Sequence, residues 1–169
     1  MFRDSVTTNR IRIQKHECEL RSKIGRHGFN IARGAAPAAK YVPFVAIGDM
    51  VYVSGQISQD ANGLIKGKLG DDMETEAGAA AAQTCALGLM AQLKAACDGD
   101  LDRLVRIVKL TGFVNSTSDF SEQPQVINGA SNLLGDVFGD AGAHARSAVS
   151  AAALPLGVAV EIEGIFQIK

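Results

Sequence analysis

The chain has 169 residues with a formal net charge of −1, and 47% of them are apolar, which is typical of one globular domain. It has no uncharged apolar run of about 18 residues, so we expect no transmembrane helix. The three cysteines lack metal-ligand spacing and require no oxidising compartment, which makes a cytoplasmic location the default expectation.

Charge is distributed unevenly along the chain. Residues 1–40 carry nine Lys or Arg against three Asp or Glu, whereas residues 41–169 carry eight against fifteen. We therefore predict a basic N-terminal arm, residues 1–36, and a folded body, residues 37–169. The arm could dock on the acidic body or be flexible, serve as a targeting sequence, or contact nucleic acid. Its interspersed acids disfavour targeting, and we expect the first behaviour rather than nucleic-acid binding.

Turn residues and alternating apolar positions predict the first half of the body. Strands are predicted over 41–47 and 50–57 around a Gly48-Asp49 turn, and a second turn at 60–63 leads into 64–65. An alanine-rich helix is predicted over 73–97, with Asp71 or Asp72 as its N-cap. A short turn and a strand follow within 101–114, and a second helix is predicted over 126–138.

The C-terminal segment predicts a second hairpin, with strands over 146–151 and 158–168 and a turn around 154–157. Alternation gives the last strand two different faces. One face carries Val158, Val160, Ile162 and Phe166, and the other carries Ala159, Glu161 and Glu163.

This order of elements predicts an α+β fold, a mixed sheet with helices packed on one face. The other face would still carry apolar residues, for which we take Val51, Val53 and Leu110. A symmetric oligomer that buries this face would remove it from water.

Arg146 and Glu161 are the candidate catalytic residues. An arginine at the start of an apolar strand needs a partner. That partner could be a ligand carboxylate, held by both arms of the guanidinium, or Glu161 or Glu163 across the hairpin. The two glutamates lie about 7 Å apart on one strand face, where they could activate water or simply be solvated.

Four further residues are candidates for substrate binding. Tyr41 offers a ring and a hydroxyl or is a half-buried strand residue, and Ser54 with Gly55 would bring a hydroxyl and backbone groups close to a ligand. Asn128 either reaches the substrate or caps the second helix. His144 shares a strand face with Arg146 and could join the site or be a solvated residue at the strand end, and it has no metal-ligand spacing with the other histidines.

The motifs, taken together, resemble the YjgF/RidA family. Arg146-Ser147-x-Val149 is followed by Leu154-Pro155 and then by the run VAVEIE at 158–163. Upstream, Tyr41 precedes a run that ends in SGQ at 54–56, and a long helix, a basic strand and an asparagine at 128 follow in the family's order. The family comprises reactive-intermediate deaminases and relatives, some of them labelled L-PSP endoribonuclease.

The resemblance implies a chorismate-mutase-like subunit, a homotrimer with sites in the clefts between subunits, and no metal or organic cofactor. It places Arg146 on the residue that holds the substrate carboxylate and Glu161 on the residue that orders water, with Glu163 structural. Ala148 stands where the deaminases commonly have cysteine, so it would contribute only its backbone N–H. Lys40 in place of a proline, a longer loop at 121–125 and the arm also depart from the family pattern.

The expected function is hydrolysis of a 2-imino or enamino acid to the 2-oxo acid and ammonia. The alternative is a non-catalytic trimer that binds small carboxylates such as 2-oxo acids as a sensor. An endoribonuclease is the third reading, and the acidic body disfavours it.

Overall fold

The structure, a computed structural model, describes residues 40–169 together with Ser22 and Gly25. Apart from those two residues, the predicted arm lies outside the described residues. Strands β1 (Phe44–Ile47) and β2 (Met50–Ile57) are followed by a short ribbon of β3 (Gln59–Asp60) and β4 (Gly63–Leu64). Helix α1 (Thr75–Ala96), β5 (Leu104–Asn115), helix α2 (Gln123–Phe138), β6 (Ala145–Ala151) and β7 (Val160–Ile168) complete the described chain.

The five long strands form one mixed sheet in the order β1-β2-β7-β5-β6. All neighbours are antiparallel except β5 and β6, which are parallel. Parallel neighbours need a long crossover, and α2 lies within the connection from β5 to β6. The predicted α+β class and mixed sheet are therefore confirmed.

The predicted C-terminal hairpin is wrong, because β5 lies between β6 and β7. The connection crosses the end of β5 instead of turning back. There the Ser116 N–H donates to the Ala151 carbonyl at 3.4 Å, and the Asn115 N–H donates to the Ala159 carbonyl at 2.9 Å. The final strand also begins at Val160 rather than at 158. A connection this long is not a tight hairpin loop, which has two to five residues as a rule.

The uncovered face of the sheet carries other residues than the three that were predicted for it. Val51, Val53 and Leu110 are buried with the helices in the core, so they do not lie on the uncovered face. The uncovered face carries the alternate residues, among them Val45, Tyr52 and Val149, whose exposed fractions are 46%, 44% and 44%. Half-buried Phe113 and Ile165 share that face by strand register. Exposed apolar residues thus lie on the uncovered face as expected, but in β2 they are one residue out of phase with the prediction.

The helix N-termini differ from the predicted ones. Helix α1 has Glu74 at its N-cap without a side-chain bond, and Asp72 instead accepts a hydrogen bond from the Lys68 N–H. Helix α2 begins at Gln123, three residues before the predicted start, with Pro124 in its first turn, a position that proline tolerates. Within the described chain, neither helix is long and apolar enough to cross a membrane.

The two helices approach each other closely at Gly129. A Cβ at this position would overlap the carbonyl oxygen of Ala79 and lie 2.7 Å from its carbonyl carbon. We expect Gly129→Ala to lower the free energy of unfolding by about 1–3 kcal/mol, because backbone atoms of α1 cannot move aside without repacking. Urea unfolding measures this change. Gly135→Ala is the matched control in α2, since nothing lies within 4 Å of a Cβ there, and it should be neutral or stabilising.

Candidate active site

Arg146 lies near the start of β6, and its side chain extends to α2. Nη1 donates to Asn128 Oδ1 at 2.9 Å and to Ser131 Oγ at 3.0 Å. Both hydrogens of Nη1 are thus engaged, while Nε and Nη2 form no hydrogen bond with the described part of the chain. The fork formed by Nε and Nη2 is the edge that can still bind a carboxylate bidentately.

Within one subunit, the geometry rules out an ion pair between Arg146 and a glutamate of β7. Arg146 is opposite buried Leu110 in β5 and faces α2, whereas Glu161 is opposite Phe113 on the uncovered face. Register puts the Cα atoms of Arg146 and Glu161 about 14 Å apart, from two strand spacings and three residues along the strands. The sheet itself separates their side chains.

Asn128 does not cap α2, because it is the sixth residue of that helix. It is exposed, and its side-chain oxygen accepts from Arg146. Ala148 lies two residues beyond Arg146 in β6, is half-buried and pairs with Gly112 of β5. Asn128, Arg146 and Ala148 therefore lie together on the helix-covered side of the edge strand β6.

Residues 54–56 form a bulge in β2. The register with β7 shifts between Val53 and Gln56, and the Gln56 side chain closes the bulge by donating Nε2 to the carbonyls of Ser54 at 2.9 Å and Gly55 at 3.3 Å. The Ser54 hydroxyl donates to the Val42 carbonyl at 2.8 Å. Ser54 therefore anchors the segment next to Tyr41, a residue that lies ahead of β1 and is 53% exposed.

Glu161 occupies the space above this bulge. A Cβ on Gly55 would overlap its Oε1 and lie 2.9 Å from its Cδ, so glycine is what leaves room for the carboxylate. Burial, and second the negative charge of Glu163, raises the pKa of Glu161 above its ordinary value. Glu163 is exposed, and it is opposite Thr111. A carboxyl with a raised pKa is a stronger base when it is ionised, which suits it to proton transfer.

Gly55→Ala tests whether the position of this carboxylate matters. The new methyl group would meet only the end of a flexible side chain, so we expect the fold to be kept with a change in unfolding free energy within about 1 kcal/mol. Glu161 would be displaced, and any activity that depends on it should fall at least ten-fold. Thermal unfolding and steady-state rates measure the two effects, and unchanged rates would show that the position is not used.

The sequence did not predict a role for Ser131 and predicted no partner for His144. Ser131 Oγ lies 3.0 Å from His144 Nε2, and His144 Nδ1 lies 2.6 Å from the Gly142 carbonyl oxygen. The one available signal was the spacing of Asn128 and Ser131, which puts both on one helix face. A pocket of about 400 Å³, lined in part by Ser131, His144 and Arg146, opens beside this group.

Among the described residues, no group of three or more His, Cys, Asp or Glu side chains is arranged to hold a metal ion. Both described cysteines, Cys85 and Cys97, are buried and free. Burial raises the pKa of the Cys85 thiol, and the charge of Glu161 raises it further.

The sequence profile described as "YjgF/chorismate mutase-like, putative endoribonuclease" matches residues 21–163. The chain belongs to the YjgF/RidA family. The match begins within the predicted arm. Similar curated proteins include Protein TCP17 of Trypanosoma cruzi, 45% identical over 88% of this chain and 93% of the relative. The "Putative regulator AldR" of Lactococcus lactis subsp. lactis is 35% identical over 82% of this chain and 97% of the relative.

Solved structures show the same fold. Protein Atu1372 from Agrobacterium tumefaciens, of unknown function, is 40% identical with a TM-score of 0.86, covering 94% of this chain and 99% of the other. RidA from the Antarctic bacterium Psychrobacter sp. PAMC 21119 is 28% identical with a TM-score of 0.54, covering 83% and 97%. The family thus includes proteins without a known function as well as RidA.

Proposed function

We propose that this protein hydrolyses 2-imino acids to 2-oxo acids and ammonia, at sites formed between the subunits of a homotrimer. The observation that carries the proposal is the guanidinium of Arg146, which is fixed at Nη1 by α2 and offers its Nε and Nη2 edge to a ligand. Family membership, which includes RidA, supports the reaction class.

Arg146 binds the substrate carboxylate. Two parallel N–H···O bonds from Nε and Nη2 orient the carboxylate, and with it the adjacent imine carbon. The neighbouring backbone of Ala148 then lies where its N–H can stabilise the adduct that forms. Positioning supplies much of the rate, because an imine is already electrophilic.

Glu161 orders the attacking water and moves its proton. Water adds to the carbon of the protonated imine as Glu161 accepts a proton from the water, which gives a carbinolamine. Glu161 returns that proton to the amino group, the C–N bond breaks and ammonia leaves, and Glu161 accepts the hydroxyl proton as the carbonyl forms. Ammonia or solvent then takes this proton and restores the carboxylate. The raised pKa of Glu161, caused first by burial and then by Glu163, favours both halves of this transfer.

One subunit cannot bring both groups to one substrate, because Arg146 and Glu161 lie on opposite faces of the sheet. A head-to-tail ring resolves this, since each interface then joins the Arg146 side of one copy to the Glu161 side of the next. The apolar uncovered face around Tyr52 and Val149 is suited to such an interface. The family resemblance is the basis for proposing three subunits. It is also the basis for a role of Tyr41, Ser54 and Gly55 in lining the cleft.

A second candidate function is binding without turnover. It is favoured by the relative that carries the name of a regulator, AldR. In this case Arg146 would bind 2-oxo acids or similar carboxylates, and Glu161 would have no proton to transfer.

Ammonia release separates the two candidates. A pulse of imine is produced by an amino-acid oxidase, and ammonia is followed over time with and without the protein. We expect the protein to accelerate release above the spontaneous rate. If no imine is accelerated, yet 2-oxo acids bind through Arg146, the binding function replaces the enzymatic one.

A further inference from the structure

Three polar groups form a directed chain that ends at the candidate carboxylate-binding residue. The Gly142 carbonyl can only accept, so His144 Nδ1 must donate to it across the 2.6 Å separation. In the neutral imidazole, Nε2 is then an acceptor, and the Ser131 hydroxyl donates to it at 3.0 Å. Ser131 Oγ in turn accepts from Arg146 Nη1 at 3.0 Å. In this tautomer, each donor and acceptor of the hydrogen-bond chain has one role.

This chain of hydrogen bonds determines which edge of the Arg146 guanidinium faces a ligand. Asn128 and Ser131 take the two hydrogens of Nη1, and they lie one turn apart in α2. Without Ser131, one hydrogen of Nη1 would be unpaired and the guanidinium could rotate about the remaining bond. His144 does not touch Arg146 in this arrangement, and it acts by orienting the Ser131 hydroxyl.

We propose that Ser131 and His144 are positioning residues that hold the Arg146 guanidinium with its Nε and Nη2 edge turned to the ligand carboxylate. The proposal rests on the proposed function for the identity of the ligand, and it assigns to these two residues a role in affinity and orientation. Neither residue contacts the reacting atoms.

Calorimetric binding of 2-oxobutanoate to the full-length protein tests this role without turnover. Ser131→Ala should raise Kd about two-fold to ten-fold, the effect of one hydrogen bond, while Ser131→Thr, which keeps the hydroxyl, should bind as wild type. Asn132→Ala, at an exposed neighbouring position of α2, is the matched control and should change nothing.

A double-mutant cycle tests the order of the chain. His144→Ala should raise Kd in the same direction, and Ser131→Ala with His144→Ala together should match Ser131→Ala alone, because His144 acts only through Ser131. Additive effects, or a Ser131→Ala variant that binds as wild type, would overturn the proposal. If Ser131→Ala does not fold, His144→Ala and its rescue by His144→Gln, which restores an acceptor, decide the question.

Nitrogen NMR separates a failure of this proposal from a failure of the proposed function. The wild-type protein should show the Nδ1–H tautomer of His144, and slow rotation of the Arg146 guanidinium that becomes fast in Ser131→Ala. If these signals are observed but no 2-oxo acid binds, the positioning chain stands and the proposed ligand is wrong. A different tautomer, or rotation that Ser131→Ala leaves unchanged, contradicts the positioning chain whatever the ligand.

Discussion

Replacing Arg146 by alanine is expected to abolish measurable carboxylate binding and to reduce imine hydrolysis by at least ten-fold to a hundred-fold. A charge-assisted hydrogen bond contributes about 1.5–3 kcal/mol, and the loss of orientation adds to that. Calorimetry with a 2-oxo acid and the initial rate of ammonia release measure the two effects. Because Arg146 is half-buried at an edge strand, the variant should keep its fold.

Two further variants show whether the effect is specific to the guanidinium of Arg146. Arg106→Ala removes an exposed arginine from β5 and should leave binding and rate unchanged. Arg146→Lys should rescue only partly, because an ammonium group cannot reproduce the fork of two parallel N–H bonds. Full rescue by lysine would show that charge alone is needed, and unchanged binding in Arg146→Ala would remove Arg146 from the site.

Replacing Glu161 by glutamine should separate turnover from binding. The amide fills the same space but cannot accept a proton, so kcat should fall about 10²-fold to 10⁴-fold while 2-oxo acid binding is retained. Steady-state kinetics and calorimetry on the same preparation measure both. A Glu161→Gln variant with wild-type kcat would show that another group handles the water.

Glu163→Gln is the matched control, and it is expected to shift the pH–rate profile in a defined direction. It should keep the plateau rate. Its charge contributes to the raised pKa of Glu161, so removing that charge should lower this pKa and move the acid limb of the pH–rate profile to lower pH. A limb that does not move would show that Glu161 does not set it.

The raised pKa of Glu161 also predicts a stability change. The native state binds the proton of this carboxyl more tightly than the unfolded state does. The wild type therefore loses stability as pH rises from the ordinary glutamate pKa through the folded pKa. Glu161→Gln should consequently unfold at the same or a higher temperature than wild type at pH 7. The difference in unfolding temperature between Glu161→Gln and wild type should become smaller as the pH falls below the ordinary glutamate pKa.

Local sequence pattern predicted the elements better than their pairing. Alternation in the last strand correctly put Glu161 and Glu163 on one face of the sheet and Ile162 and Phe166 on the other. Side-chain direction depends only on neighbours along the strand, so it can be read locally. It could not reveal that β5 inserts between β6 and β7, since that pairing joins segments distant in sequence. The phase of β2, and hence the burial of Val51 and Val53, depends on the same long-range choice.

The candidate site was predictable where a residue type is unusual in its setting. Arg146 stands out in an apolar strand, and the SGQ run marks the bulge over which Glu161 lies. Ser131 has no such signal, because a serine within a helix is ordinary until the fold brings Arg146 and His144 to it. The opposite placement of Arg146 and Glu161 likewise depends on register and was not visible in the sequence.

The most direct test of a site shared between subunits is the activity of mixed oligomers. Arg146→Ala and Glu161→Gln subunits, each inactive alone, are co-expressed with different tags, and oligomers that contain both are purified. In a mixed head-to-tail trimer, one interface in three joins an intact Arg146 of one copy to an intact Glu161 of the next, so about a third of wild-type activity should return. Mixed oligomers as inactive as the parent variants would contradict the account, because the two residues would then have to act within one chain or not together at all.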